Sequence, residues 1–113
     1  MSYLNPEDTN AVMKWIKVQA AAEAVRLTAH AQQEMVAEEI DFDEVLQAIA
    51  NDDILENYSK HQRGACCLLF GITNRNRPLQ IVCTTSGAVL IIITVYVPKQ
   101  PKWITPTQRR QLL

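Results

Sequence analysis

The hydrophobic pattern changes its period once, near Asp53, and that change limits the fold more than any other feature of the chain. Up to that point apolar residues recur every three or four positions, as on one face of a helix. Beyond it they come in short, β-branched runs of strand length. Helices first and strands later predict an α+β fold, with three helices laid on one face of an antiparallel sheet of about four strands.

Local signals place the elements. Asn5-Pro6-Glu7-Asp8 reads as a helix start, with Asn5 as N-cap and Pro6 at the first helical position. Val12, Trp15, Ile16 and Ala20 follow at helical spacing, which predicts a helix over about 6–23. Val25-Arg26-Leu27 is either a short strand or a connector. Thr28 caps a second helix, Ala29 to Glu39, with Ala31, Met35 and Val36 as its apolar stripe. Asp41 and Glu44 stand at the two positions of a capping box, flanked by Ile40 and Val45 as a hydrophobic staple. Phe42, Val45, Leu46 and Ile49 continue that third helix until Asn51-Asp52-Asp53. The predicted strands are Ile54–Tyr58, Ala65–Thr73, Leu79–Thr84 and Ala88–Val97. Short connections at Asn74–Pro78 and Thr85–Gly87 imply antiparallel neighbours. Pro98 to Leu113 reads as an extended arm ending in a short helical turn. Residues 1–24 are thus an N-terminal helical extension, 25–103 the α+β domain and 104–113 a basic tail.

Charge divides at nearly the same place as period. Residues 1–56 hold all 12 acidic residues and three basic ones. Residues 57–113 hold the other eight basic residues and no Asp or Glu. The net charge of −1 hides that segregation, so it does not exclude a polyanionic partner. Three cysteines, Cys66, Cys67 and Cys83, lie in apolar runs. They read as small buried hydrophobes in a reducing cytoplasm, and no metal site or cofactor is expected. The longest apolar run, Ala88 to Val97, is too short for a membrane span, which takes about 20 residues. Met1 to Glu7 lacks the pattern of a secretory leader, so none is expected.

Several positions carry chemistry. His30 and Glu34 lie one helical turn apart, with Glu38 continuing the face. They form either a carboxylate-oriented general acid or base, or an ordinary polar pair. Arg75 and Arg77 bracket a hairpin tip with no acid near in sequence. They suit either phosphate contact or a soluble turn. Lys60, His61 and Arg63 form a second basic cluster. Lys99, Lys102, Arg109 and Arg110, interleaved with Trp103, form a third. The third could hold single-stranded RNA, or Trp103 could simply pack the tail on the domain. Thr94 and Tyr96 point to one face of a strand, and a phenol near arginines could bind or protonate a phosphate group. No P-loop, GxGxxG, GxSxG or HExxH occurs, which removes support for the chemistry those motifs perform.

Leu27-Thr28-Ala29-His30-Ala31, Glu34-Met35 and Ile40, then Gly71, Arg77-Pro78-Leu79 and Ile93-Thr94-Val95-Tyr96 with Pro98 and Trp103, resemble a small bacterial family. It is the family numbered 4258 among domains of unknown function, and the resemblance covers about residues 25–103. That family looks related in architecture to BrnT- and RelE-type toxins. The resemblance implies a metal-independent ribonuclease of a toxin–antitoxin pair, or a relic of one, with RNA and an antitoxin-like protein as partners. His30 would act as acid or base, Arg77 or Arg75 would stabilise the phosphorane, and Tyr96 would bind phosphate or protonate the leaving oxygen. Lys60, Arg63 and Thr94 would line the substrate path. Two positions depart from the pattern: Gln80 stands where members commonly carry His, and Glu34 where many carry Arg. A reading of another class is a non-catalytic protein-interaction module that uses the acidic helical and basic sheet faces, with head-to-tail self-association as one version.

Overall fold

A computed structural model describes residues 5–60, 64–85 and 87–98, together with the backbone of 103–105 and 108–109. Three helices precede the long strands: α1 (Thr9–Ala21), α2 (Ala29–Ala37) and α3 (Phe42–Ala50). The strands are β1 (Val25–Leu27), β2 (Asp52–Tyr58), β3 (Cys66–Ile72), β4 (Pro78–Thr84), β5 (Leu90–Tyr96), β6 (Trp103–Thr105) and β7 (Gln108–Arg109). The α+β class and the three helices are as expected, but the main sheet has five strands and is mixed. Its order is β1-β5-β4-β3-β2. The antiparallel meander β2–β5 matches the expectation, and β1 adds a parallel pairing to β5. The sequence could not decide the state of Val25–Leu27 because three residues carry too little pattern. The pairing is made by its flanks. Leu90 N donates to the Ala24 carbonyl, and Thr28 N donates to the Ile92 carbonyl.

Helix starts depart from expectation at one point. Asp8, not Asn5, is the N-cap of α1, its side chain accepting from Ala11 N. Asn5 instead closes a turn before the helix, where its Oδ1 accepts from Glu7 N. Thr28 and Asp41 cap α2 and α3 as read, and the Asp41–Glu44 capping box is complete. In the C-terminal arm β6 pairs with β7 as a small antiparallel ladder, and the helical turn expected at its end lies outside the described residues.

The core lies between the helices and one face of the sheet. Val12, Ile16 and Ala20 of α1, Ala31 and Met35 of α2, and Val45, Ala48 and Ile49 of α3 meet alternate residues of the strands. Those are Cys67 and Leu69, then Leu79, Ile81 and Cys83, then Leu90, Ile92 and Val95. The N-terminal helix therefore shares the core of the domain. At Gly71 the backbones of β3 and α3 touch, and an added Cβ would collide with the Ala48 carbonyl oxygen. Along β5 the inward set jumps from Ile92 to Val95. Val82 pairs with Thr94 but Cys83 with Ile92, so Ile93 is a bulge that shifts the alternation by one residue. Among the described residues no helix is long and apolar enough to cross a membrane.

Candidate functional site

The densest polar chemistry sits where α2 gives way to α3. The helix ends in a Schellman turn: Ile40 N donates to Met35 O and Glu39 N to Val36 O. Met35 and Ile40, the apolar pair such a turn brings together, are both buried. The turn requires a left-handed residue, and Glu39 takes it at φ 55°, where glycine is the usual occupant. Two residues on, Asp41 opens α3, and its capping partner Glu44 is drawn inside the protein.

Burying a carboxylate is costly unless it is paired. Glu44 is paired by residues more than 30 positions away, in the hairpin between β3 and β4. Its Oε1 lies 3.0 Å from Arg75 Nη2 and 3.3 Å from Arg77 Nη1, and it also accepts from Asp41 N. Arg77 reaches further, donating to the carbonyls of Glu39 and Glu38 at the open end of α2. These carbonyls are ones a helix end leaves unsatisfied. The hairpin aims both arginines by backbone chemistry. Thr73 Oγ1 accepts from Arg75 N and Arg77 N, and Asn76 takes the left-handed turn position at φ 61°. Gln47 of α3 accepts from Asn74 N and fixes the hairpin from the other side.

A second set of carboxylates serves the outer edge of β5. Past β1 that edge has no neighbouring strand among the described residues, yet its amides are met. Val95 N donates to Glu34 Oε1 at 3.1 Å, and Val97 N to Glu38 Oε2 at 2.7 Å. Four helical residues rise about 6.0 Å, and two strand residues about 6.6 Å, so glutamates at i and i+4 match amides at j and j+2. Thr28 Oγ1 completes the edge by donating to Ile93 O while it caps α2.

The expected site residues are distributed over this scaffold. His30 is largely exposed, with Nε2 3.3 Å from Glu34 Oε1. Arg77 is bound at the other end of α2, about 12 Å further along at the helical rise. Tyr96 and Thr94 pair with Gln80 and Val82, which alternate with the inward Leu79, Ile81 and Cys83. Both therefore belong to the sheet face turned away from the helices. Arg75 joins Arg77 on Glu44. Lys60 is exposed and lies 3.7 Å from Glu7. Arg63, His61, Lys99, Lys102 and Arg110 lie outside the described residues. The structure thus brings Arg75 and Arg77 together, and separates His30, Arg77 and Tyr96.

Sequence reasoning missed two carboxylates that the fold turns inward. Glu44 carried a signal, the capping box, that accounted for it as a surface residue. Asp52 carried none beyond its place at a helix end. It opens β2 on the core side, 3.8 Å from Lys17 of α1, and neither oxygen accepts a hydrogen bond of ordinary length among the described residues. Burial pushes its carboxyl up to about 7 against the lowering pull of Lys17. The cysteines are free and buried. Cys67 and Cys83 face each other across β3 and β4 with Sγ atoms 3.8 Å apart. The neighbouring Cys67 thiol, with burial, holds Cys83 well above the ordinary thiol range, so it is a poor nucleophile.

No curated protein and no solved structure matches the chain. A family does: residues 27–97 match the one described as Domain of unknown function (DUF4258). The matched stretch holds α2, α3 and strands β2 to β5, and the bonds of the junction and those of Glu34 and Glu38 to β5 fall inside it. The chain belongs to the DUF4258 family.

Proposed function

We propose that the chain is a non-catalytic protein-binding module that offers the acidic surface of α2 and α3 to a basic partner. One observation carries this reading: His30, Arg77 and Tyr96, the side chains expected to cleave RNA, do not share a surface. Arg77 serves Glu44 and the end of α2, His30 stands at the opposite end of that helix, and Tyr96 lies on the far face of the sheet. General acid–base chemistry on a phosphodiester needs these groups within hydrogen-bond reach of one phosphate. The segment that forms α2 and α3 is instead acidic, with no Lys or Arg between Arg26 and Lys60. Three free, buried cysteines fit a reducing cytoplasm as its compartment.

A second reading keeps the likeness to RelE- and BrnT-type toxins, with RNA as substrate. The observation in its favour is that Thr94 and Tyr96 share a sheet face that no described helix covers. Site-specific photocrosslinking in the native host separates the two. A photoreactive residue at position 43 is expected to trap a protein, and one at position 94 to trap none. Purified chain is expected to leave free and ribosome-bound RNA intact. RNA cleavage that is lost in His30→Ala would overturn the proposal, as would RNA trapped from position 94.

A further inference from the structure

Beside the α2–α3 turn lies an open groove of about 430 Å³, bounded by Gln32, Met35, Val36, Glu39, Ile40 and Asp41. Its floor is apolar, since Met35 and Ile40 present the outer surface of the core there. Val36 forms one wall and is 79% exposed, on a helix whose other large apolar side chain, Met35, is buried. Water-exposed apolar surface of this kind is favourable to cover.

The rim is acidic. Glu39, Asp41 and the neighbouring Asp43 have no ion-pair partner among the described residues, where the nearby cations Arg75 and Arg77 are held by Glu44. An apolar floor within an acidic rim sets the chemistry of its occupant. The occupant must insert an aliphatic or aromatic side chain and carry positive charge on both sides of it. A polyanion would meet like charge at the rim. A wholly apolar segment would leave the carboxylates without counter-charge.

We infer that this groove is the docking site for a short segment of another protein, an apolar anchor flanked by Lys or Arg. The inference rests on the protein-binding reading and narrows it to one place and one partner chemistry. Glu39 gains a role by it. Glycine would suit its backbone better, and only a side chain can put charge on the rim.

A random dodecapeptide library displayed on phage, panned against the full chain at low salt, tests this. The expected enrichment is for Leu, Ile, Phe or Met with at least two Lys or Arg close by. A synthetic peptide of the enriched sequence should bind Val36→Asp at least about tenfold more weakly, and Glu39→Lys about fivefold more weakly. Backbone amide shifts should centre on residues 32–41. Val36 and Glu39 are exposed, so circular dichroism should show both variants folded. No enrichment, or enrichment that ignores Val36→Asp, overturns the inference. Basic peptides that shift residues 43–47 of α3 instead, with residues 32–41 unmoved, would defeat the groove and leave the protein-binding reading standing. Absence of enrichment together with RNA cleavage would defeat both. Self-association dissolved by Val36→Asp would make the occupant a second copy and overturn the inference.

Discussion

Glu44 and Asp52 are both buried carboxylates, one at the seam of α3 with the β3–β4 hairpin, the other at the seam of β2 with α1. Glu44 receives two guanidinium groups and a backbone amide on one oxygen. Asp52 has one lysine at 3.8 Å and, among the described residues, no hydrogen bond of ordinary length. Burial alone does not set the consequence for a charge; the number and geometry of its partners do. The first seam locks the α2–α3 turn to the sheet. The second is where a proton is held more tightly by the folded chain than by the unfolded one.

The largest effect should come from breaking the better seam. Arg77→Ala leaves Glu44 short of a partner and uncovers the end of α2, and should cost about 3–5 kcal/mol in chemical denaturation. A loss below about 1 kcal/mol would mean that Arg75 alone suffices. Asp52→Asn should act in the opposite direction, raising stability at pH 8 by about 2 kcal/mol. The sign follows from its carboxyl being raised from 3.8 to about 7. Between those values the folded chain binds a proton that the unfolded chain has released. Its contribution is therefore most favourable below pH 4 and is lost as pH rises through about 7. The gap between wild type and Asp52→Asn should widen from pH 4 to 7 and stay constant above 8. A gap independent of pH would show that Asp52 stays ionised.

Smaller changes sharpen the contrast around the first seam. Glu38→Ala removes the acceptor of Val97 N and should cost about 1 kcal/mol. Faster hydrogen exchange at Val97, with Leu90 unchanged, would mark the loss as local. Glu39→Gly should stabilise by roughly 0.5–1 kcal/mol by relieving the left-handed glutamate. No gain in thermal midpoint would show that the Glu39 side chain contributes to stability in the free protein.

Legibility in the sequence follows the range of the interactions. The helices, their caps at Thr28 and Asp41 and the meander were readable because each depends on neighbours within a few residues. The pairing of Glu44 with Arg75 and Arg77 spans more than 30 positions, and nothing local announces it. Arginines at a turn with no acid near in sequence looked free for phosphate, and the fold supplied the acid. The bulge at Ile93 hides inside an apolar run broken only by Thr94, so the alternation of β5 could not be phased from composition. The short parallel strand β1 is set by Ala24 and Thr28 on its flanks. Asp52 is the hardest case, since a carboxylate after a helix end has every local reason to be exposed.

The glutamates that meet the β5 edge have a consequence for assembly. A sheet usually grows by offering unpaired amides and carbonyls to another strand, and that is also how folded domains begin to aggregate. Here Val95 and Val97 already have acceptors, and Ile92 and Ile93 already have donors. Past β1, the edge of β5 beside α2 is closed to strand addition with no described strand there to close it. Whatever meets the protein on that side must bind to side chains, and α2 can shift along β5 only by breaking two charge-assisted bonds at once.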